Sequence, residues 1–318
     1  MSKKLVIIIG AILISLLFFF FLFFKKNSVY NLSNFNSSNI EIENDIPNPF
    51  LIAAIIDNHP DARPQFGLSQ ASMVFDVPVE GGITRFLAFF PVNLSEDFKI
   101  GPIRSLRPYF LDIALEYQAL LLHCGGSPEA LARVVKEEVK TFNEFYDQEY
   151  FSRYSSYQAP HNILASYTLI SEYLNEENFL IGDYEDWATK KSESNYFTDN
   201  SSIEIKRSGS QYNISWIYDF NQVKYRQEKT GLEADNIIIR PISTKVLDDD
   251  LRLEIGLIGR GEAIICQDSY CQEVVWEKKD KDDQTRYYFK DGRDFVFNIG
   301  KTWIHFIDQN SSFSIKNW

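Results

Sequence analysis

Residues Leu5 to Phe24 form a run of 20 without a charge, in which only Gly10 and Ser15 are weakly polar. Lys3 and Lys4 precede it, and Lys25 and Lys26 close it. At ~1.5 Å per residue a helix of this length spans ~30 Å, the thickness of a bilayer's hydrocarbon core. Such a helix satisfies its own backbone hydrogen bonds in lipid. A cleaved secretory leader has a shorter apolar region, ~7–15 residues, followed by a small-x-small site. Here Phe23-Phe24-Lys25-Lys26-Asn27 stands in that place, and no Cys follows for lipid attachment. Residues 1–26 therefore read as a single-pass transmembrane anchor that contacts the lipid bilayer through residues 5–24. Lys is balanced on the two sides, so positive-inside counting is tied. The short head and the acidic remainder place the C-terminal body outside the cytoplasm.

The chain carries 32 Lys and Arg against 44 Asp and Glu. Without the four Lys that flank the run, 28 basic residues face 44 acidic ones, a charge of −16. A body of that charge lacks the basic face that phosphate backbones require, so no nucleic-acid partner is expected. It is equally unsuited to lying flat on anionic lipid.

Residues 27–48 are rich in Asn and Ser and read as a tether. A first unit, 49–180, has strand-like runs at Leu51–Ile56, Met73–Val79, Ile83–Val92 and Ala119–His123. Glu80-Gly81-Gly82 reads as a tight turn. Helices are expected over Arg107–Tyr117, from Ser127-Pro128-Glu129 onward, and over His161–Leu174; Ser127 is an N-cap with Pro at the first helical position. Residues 181–202 are a polar connector. A second unit, 203–318, is a series of short alternating strands, with Asp291-Gly292 as a turn. The expected fold class is α+β: an α/β-type mixed-sheet domain followed by a smaller, mostly-β domain. Cys266 and Cys271 flank a short hairpin, either as a disulfide or as two thiols. Cys124 stands alone as a small buried residue.

Polar residues gather at the strand ends of the first unit. Asp57, His59 and Arg63 follow the first strand; Glu80, Thr84 and Arg85 sit at the next turn. Arg104, Ser105 and Arg107 precede a helix, His123 and Ser127 follow a strand, and His161 and Asn162 open the last helix. Loops at strand ends commonly carry sites.

The stretches IIDNHPDARPQFGLSQA, VEGGITRFLAFF, KIGPIRSLRPYFLDIA, HCGGSPEAL and APHNIL occur in this order. Together with YDFNQVKYR, DNIIIRP, GRGEAIIC and GKTWIHF in the second unit, they resemble the YerB-like family of bacterial envelope proteins. The resemblance covers roughly residues 50–310. It implies an α+β fold and an extracytoplasmic, membrane-attached protein, and it supplies no settled activity. The chain departs from the family's lipoprotein pattern in having an apolar run where a lipobox Cys would be.

Arg63, Arg85, Arg104 and Arg107 fall close together in an acidic protein, and Arg presents a planar fork to carboxylate or phosphate. The helix start at Ser127 adds free backbone N–H groups. An anionic ligand of cell-wall type, a wall polymer, is the leading expectation. The structural alternative makes Arg104 and Arg107 salt-bridge partners of Asp57 or Glu80. A second reading is an envelope hydrolase of glycan or ester bonds, with Glu80, His123 and His161 as acid and base. Neither Ser105 nor Ser127 lies in Gly-x-Ser-x-Gly. A metal variant would use Asp57 and His59 on one strand face with His123 or His161 completing the set, but His-Glu-x-x-His spacing is absent, so no metal or cofactor is expected. A third reading is an envelope-protein scaffold that presents Trp216, Tyr218, Trp276, Tyr287, Tyr288 and Trp303.

Overall fold

A continuous apolar run such as Leu51–Ile56 suits a strand buried on both faces. In the structure, a computed structural model, it is the interior strand β1, Leu51–Asp57. Residues 51–92, 94–177, 186–191 and 201–316 are described. The expected anchor and tether, and most of the connector, lie outside them. No helix among the described residues is long and apolar enough to cross a membrane.

Along β1 the side chains alternate. Leu51, Ala53 and Ile55 enter one core, and Ile52, Ala54 and Ile56 enter another. That is the period-2 geometry of a strand inside a three-layer fold. Ten strands form the main sheet: β1, β2 (Met73–Pro78), β3 (Thr84–Pro91), β4 (Leu120–His123), β5 (Thr141–Asn143), β6 (Asn236–Pro241), β7 (Gly259–Gln267), β8 (Tyr270–Lys278), β9 (Arg286–Tyr288) and β10 (Thr302–Ile307). Their order is β9-β8-β7-β6-β10-β2-β3-β1-β4-β5. The sheet is mixed: β10 runs parallel to both β2 and β6, and β4 runs parallel to β1 and β5, while the remaining neighbours are antiparallel. The two halves of the sequence thus share one sheet through the β2–β10 pair, and Ile46–Trp318 forms one compact unit.

One face is covered by helix α1 (Pro108–Glu116), which contributes Tyr109, Phe110, Leu111 and Ile113. The other face is covered by a five-stranded antiparallel sheet carrying Trp216, Tyr218 and Tyr225, and by helix α3 (Tyr167–Glu176) with Ile170 and Leu174. Helix α2 (Pro128–Lys136) starts as its sequence predicts, with Ser127 Oγ accepting from Ala130 N at 3.3 Å. The helix expected over His161–Leu174 is shorter. Ile163–Ser166 is a buried strand, paired with Lys99–Ile100 on one side and Phe151–Arg153 on the other, and the helix begins only at Tyr167. Two available partner strands outweigh the helical spacing of the apolar residues.

Trp216, Trp303, Tyr218, Trp276 and Tyr287 are all buried, and Tyr288 is half-buried. These rings are core, not a presented surface, which corrects the scaffold expectation. Cys266 and Cys271 are register partners across the β7–β8 hairpin, with sulfurs 2.01 Å apart. A bridge closing so short a loop stabilises by about 2 kcal/mol through the unfolded chain. Replacing both residues by Ala is therefore expected to lower the melting temperature, and reductant is expected to shift the wild type but not the variant.

Candidate functional site

Asp57 ends β1 and is 1% exposed. Its N–H donates to Pro102 O at 2.8 Å, and its Oδ1 accepts from His59 N at 2.9 Å, which turns the chain outward. Its Oδ2 lies 2.7 Å from His161 Nδ1 and in ion-pair contact with Arg104 Nε at 3.1 Å. Arg104 also donates through Nη1 to Pro160 O at 2.9 Å, tying the His161 loop to β1. The His59 and His161 rings stack with centroids 4.5 Å apart.

Arg63, Thr84 and Asn162 face elsewhere. Thr84 Oγ1 accepts from Asn58 Nδ2 at 2.8 Å. Arg63 is spent on neutral acceptors, donating to Asn58 Oδ1, Asn58 O and Gln211 O. It staples the end of β1 to the Gln211–Tyr212 segment, and burial lowers its pKa. Asn162 Oδ1 accepts from Arg153 Nη1 at 3.1 Å. His123 is buried at the end of β4, with Nδ1 2.8 Å from Gly125 O and no partner on Nε2. Donation from Nδ1 to that carbonyl fits a neutral ring, and burial lowers its pKa. It closes the strand end.

Glu80, Arg85, Ser105, Arg107 and Ser127 come together around a different space, a cleft of about 450 Å³ also lined by Asp250 and Arg252. Arg107 Nε donates to Glu80 Oε1. The structural alternative thus holds for two of the four Arg residues: Arg104 pairs with Asp57, and Arg107 with Glu80.

Arg85 is different. It is the register partner of Asp57 on β3 and is 5% exposed. Its Nη1 donates to Ser105 O at 3.2 Å, its Nε has no partner, and among the described residues no carboxylate makes an ion pair with it. Its pKa is lowered, by burial first and then by the charges of Arg107 and Arg104, with Glu80 opposing. Guanidinium remains charged at neutral pH in such surroundings. The cleft is thus floored by a desolvated cation that has no ion-pair partner among the described residues, with Glu80 and Asp250 on the same walls.

Sequence reasoning missed Asp250 and Arg252, which reach the cleft from the hairpin of Thr244–Val246 and Leu253–Ile255. No local motif marks them, since their place depends on a contact across more than a hundred residues. Glu80, His123 and His161 occupy three separate environments, so the acid–base trio of the hydrolase reading is not assembled. Cys124 is half-buried rather than buried as expected, and burial and Glu144 push its thiol up to about 11.

Two domain profiles described as protein of unknown function DUF3048 match the chain, the N-terminal one over residues 38–180 and the C-terminal one over residues 193–304. The chain belongs to this family. It is 29% identical over 289 residues to "Putative lipoprotein YerB" of Bacillus subtilis (strain 168), covering 83% of each sequence. The crystal structure of YerB protein from Bacillus subtilis matches with a TM-score of 0.72 at 25% identity, over 88% of this chain and 100% of that one. The division between the family's two domains falls between residues 180 and 193, yet strands from both sides hydrogen-bond in one sheet through β2 and β10. The family carries no assigned activity, so the chemistry of the cleft rests on its geometry.

Proposed function

We propose that this protein is attached to the cell membrane, exposes its folded body outside the cytoplasm, and holds an anionic cell-wall-type polymer in the Arg85 cleft. The name of the Bacillus subtilis relative, a lipoprotein designation, supports envelope attachment. The uncharged run of residues 5–24 supports a single-pass anchor as the mode of attachment here. The observation that carries the binding reading is the buried Arg85 guanidinium, open at Nε and without an acidic partner among the described residues. Arg107, the hydroxyl-bearing Ser105 and the N-terminus of α2 surround the same space. The net negative charge of the body keeps this locally positive cleft from acting as a general polyanion surface.

Retention of the full-length chain, in detergent, on purified cell walls tests the reading. Arg85→Met keeps the stem and removes the charge. A charge-assisted contact is worth ~1.5–3 kcal/mol, so retention by the variant is expected to weaken ~10–100-fold. Equal retention by a variant that melts like the wild type would refute the assignment.

A further inference from the structure

We propose that His59, Asp61 and His161 form a binding site for a divalent transition-metal cation of the zinc class. One ligand atom from each of the three lies within 4.8 Å of the others. His59 Nδ1 and Asp61 Oδ2 are 3.6 Å apart, so the turn already brings the two side chains within reach of one ion. His161 supplies Nε2, because its Nδ1 lies 2.7 Å from Asp57 Oδ2. A carboxylate on the far nitrogen is how metal-binding imidazoles are commonly oriented and made more basic. Asp57 is itself fixed, by His59 N and by Arg104, so the imidazole is aimed before any ion arrives.

Closing the site moves only the exposed partners. His59 and Asp61 flank and occupy one short turn, Pro60–Ala62, with side chains 38% and 71% exposed, whereas His161 is 16% exposed and held. His59 must rotate out of its stack on His161, since nearly parallel ring planes cannot both contain one ion. It also gives up the 3.2 Å hydrogen bond from Asp61 N, an exposed one that solvent can replace. The Arg104 charge is balanced by Asp57, which leaves Asp61 to supply the net negative charge that favours a cation. Three protein ligands leave a fourth position for solvent or substrate, the pattern of open rather than structural zinc sites. The spacing of these residues in the sequence announces no such set, because His161 joins the other two across a hundred residues.

Equilibrium dialysis of the full-length chain, in detergent, against Zn²⁺ tests the site, with bound metal counted per protein. One ion per chain is expected. His59→Gln and His161→Gln should each weaken uptake more than tenfold, and Asp57→Asn should weaken it ~10–100-fold through the loss of orientation alone. Arg85→Met should leave zinc uptake unchanged, which separates this site from the anion cleft. His59 is exposed, so its variant tests the site independently of folding even if Asp57→Asn proves unstable. No zinc uptake by the wild type, or uptake unaltered by His59→Gln and His161→Gln, would overturn the proposal.

Discussion

Asp76→Ala is expected to cost about 3–5 kcal/mol of stability, the penalty for stranding a buried charge. Asp76 lies near the end of β2 and is fully buried. Its Oδ2 accepts from Arg207 Nη2 at 2.5 Å and lies 3.0 Å from His305 Nδ1 on β10. Trp216 Nε1 donates to His305 Nε2 at 3.1 Å, which fixes the tautomer and puts the imidazole proton on Nδ1, toward Asp76. One carboxylate thus joins β2, β10 and the five-stranded sheet, and its loss leaves Arg207 buried beside Phe306 O without a counter-ion.

The same cluster sets a pH dependence. Burial pushes the Asp76 carboxyl up, but the Arg207 charge and the His305 contact outweigh it and hold the pKa at about 2. Its contribution is present above the unfolded value near 3.8 and is lost as pH falls toward 2. Burial lowers the His305 pKa below its usual 6.5, with Asp76 opposing, so the folded state binds the neutral ring. That contribution is complete above pH 6.5 and erodes as pH falls below it, because the unfolded chain takes up the proton first. Both effects make acid destabilising. Urea unfolding across this range should show stability declining from pH 6.5 downward in the wild type. His305→Gln should show a shallower decline, retaining the part due to buried His123. Parallel curves would contradict the assignment.

Glu116→Ala is the second large loss, again about 3–5 kcal/mol. Glu116 ends α1, and its Oε1 lies 3.1 Å from Lys278 Nζ, whose side chain is 0% exposed. Glu116 Oε2 accepts from Thr285 N and Thr285 Oγ1 at 3.0 and 2.9 Å. The pair bolts the helix layer to β8 of the other sequence half. Removing the acid alone leaves a buried ammonium whose remaining acceptor among the described residues is Asp283 O. Adding Lys278→Met should recover the part of the loss due to the stranded ammonium, while Thr285 N and Oγ1 remain without their acceptor. Denaturant unfolding of both single variants and the double variant gives the coupling directly; a double variant as weak as the sum of the singles would show that no coupling exists.

The strands were legible where side chains alone decide them. Leu51–Ile56 and the Phe86–Phe90 part of Ile83–Val92 read as strands because unbroken apolar runs fill both faces of a sheet. The joining of the halves was not legible, because Asp76 and His305 meet across 229 residues and no local pattern specifies a β2–β10 neighbour. The stretch after His161 misled for a related reason: its spacing suits a helix, and two distant partners make its first part a strand.

The site followed the same division. Residue type and position at strand ends identified Asp57, Arg85, Arg104, Arg107 and His161 as unusual, but pairing decides their roles. Asp57 cancels Arg104, Glu80 cancels Arg107 and neutral acceptors occupy Arg63, which leaves Arg85 as the cleft's buried guanidinium with an open Nε and no ion-pair partner among the described residues. Which Arg keeps its charge open depends on backbone register, through Asp57 opposite Arg85, and register is a property of the assembled sheet.

Anion binding by Arg85, as proposed above, is tested most directly by the stability of wild type and Arg85→Met as inorganic phosphate is raised. Phosphate stabilises any folded protein by exclusion from its surface, and that part is common to both chains. Binding adds a further term that grows with ligand concentration in the wild type alone. A steeper phosphate dependence in the wild type is the predicted result, and superimposable curves for the two proteins would contradict the account.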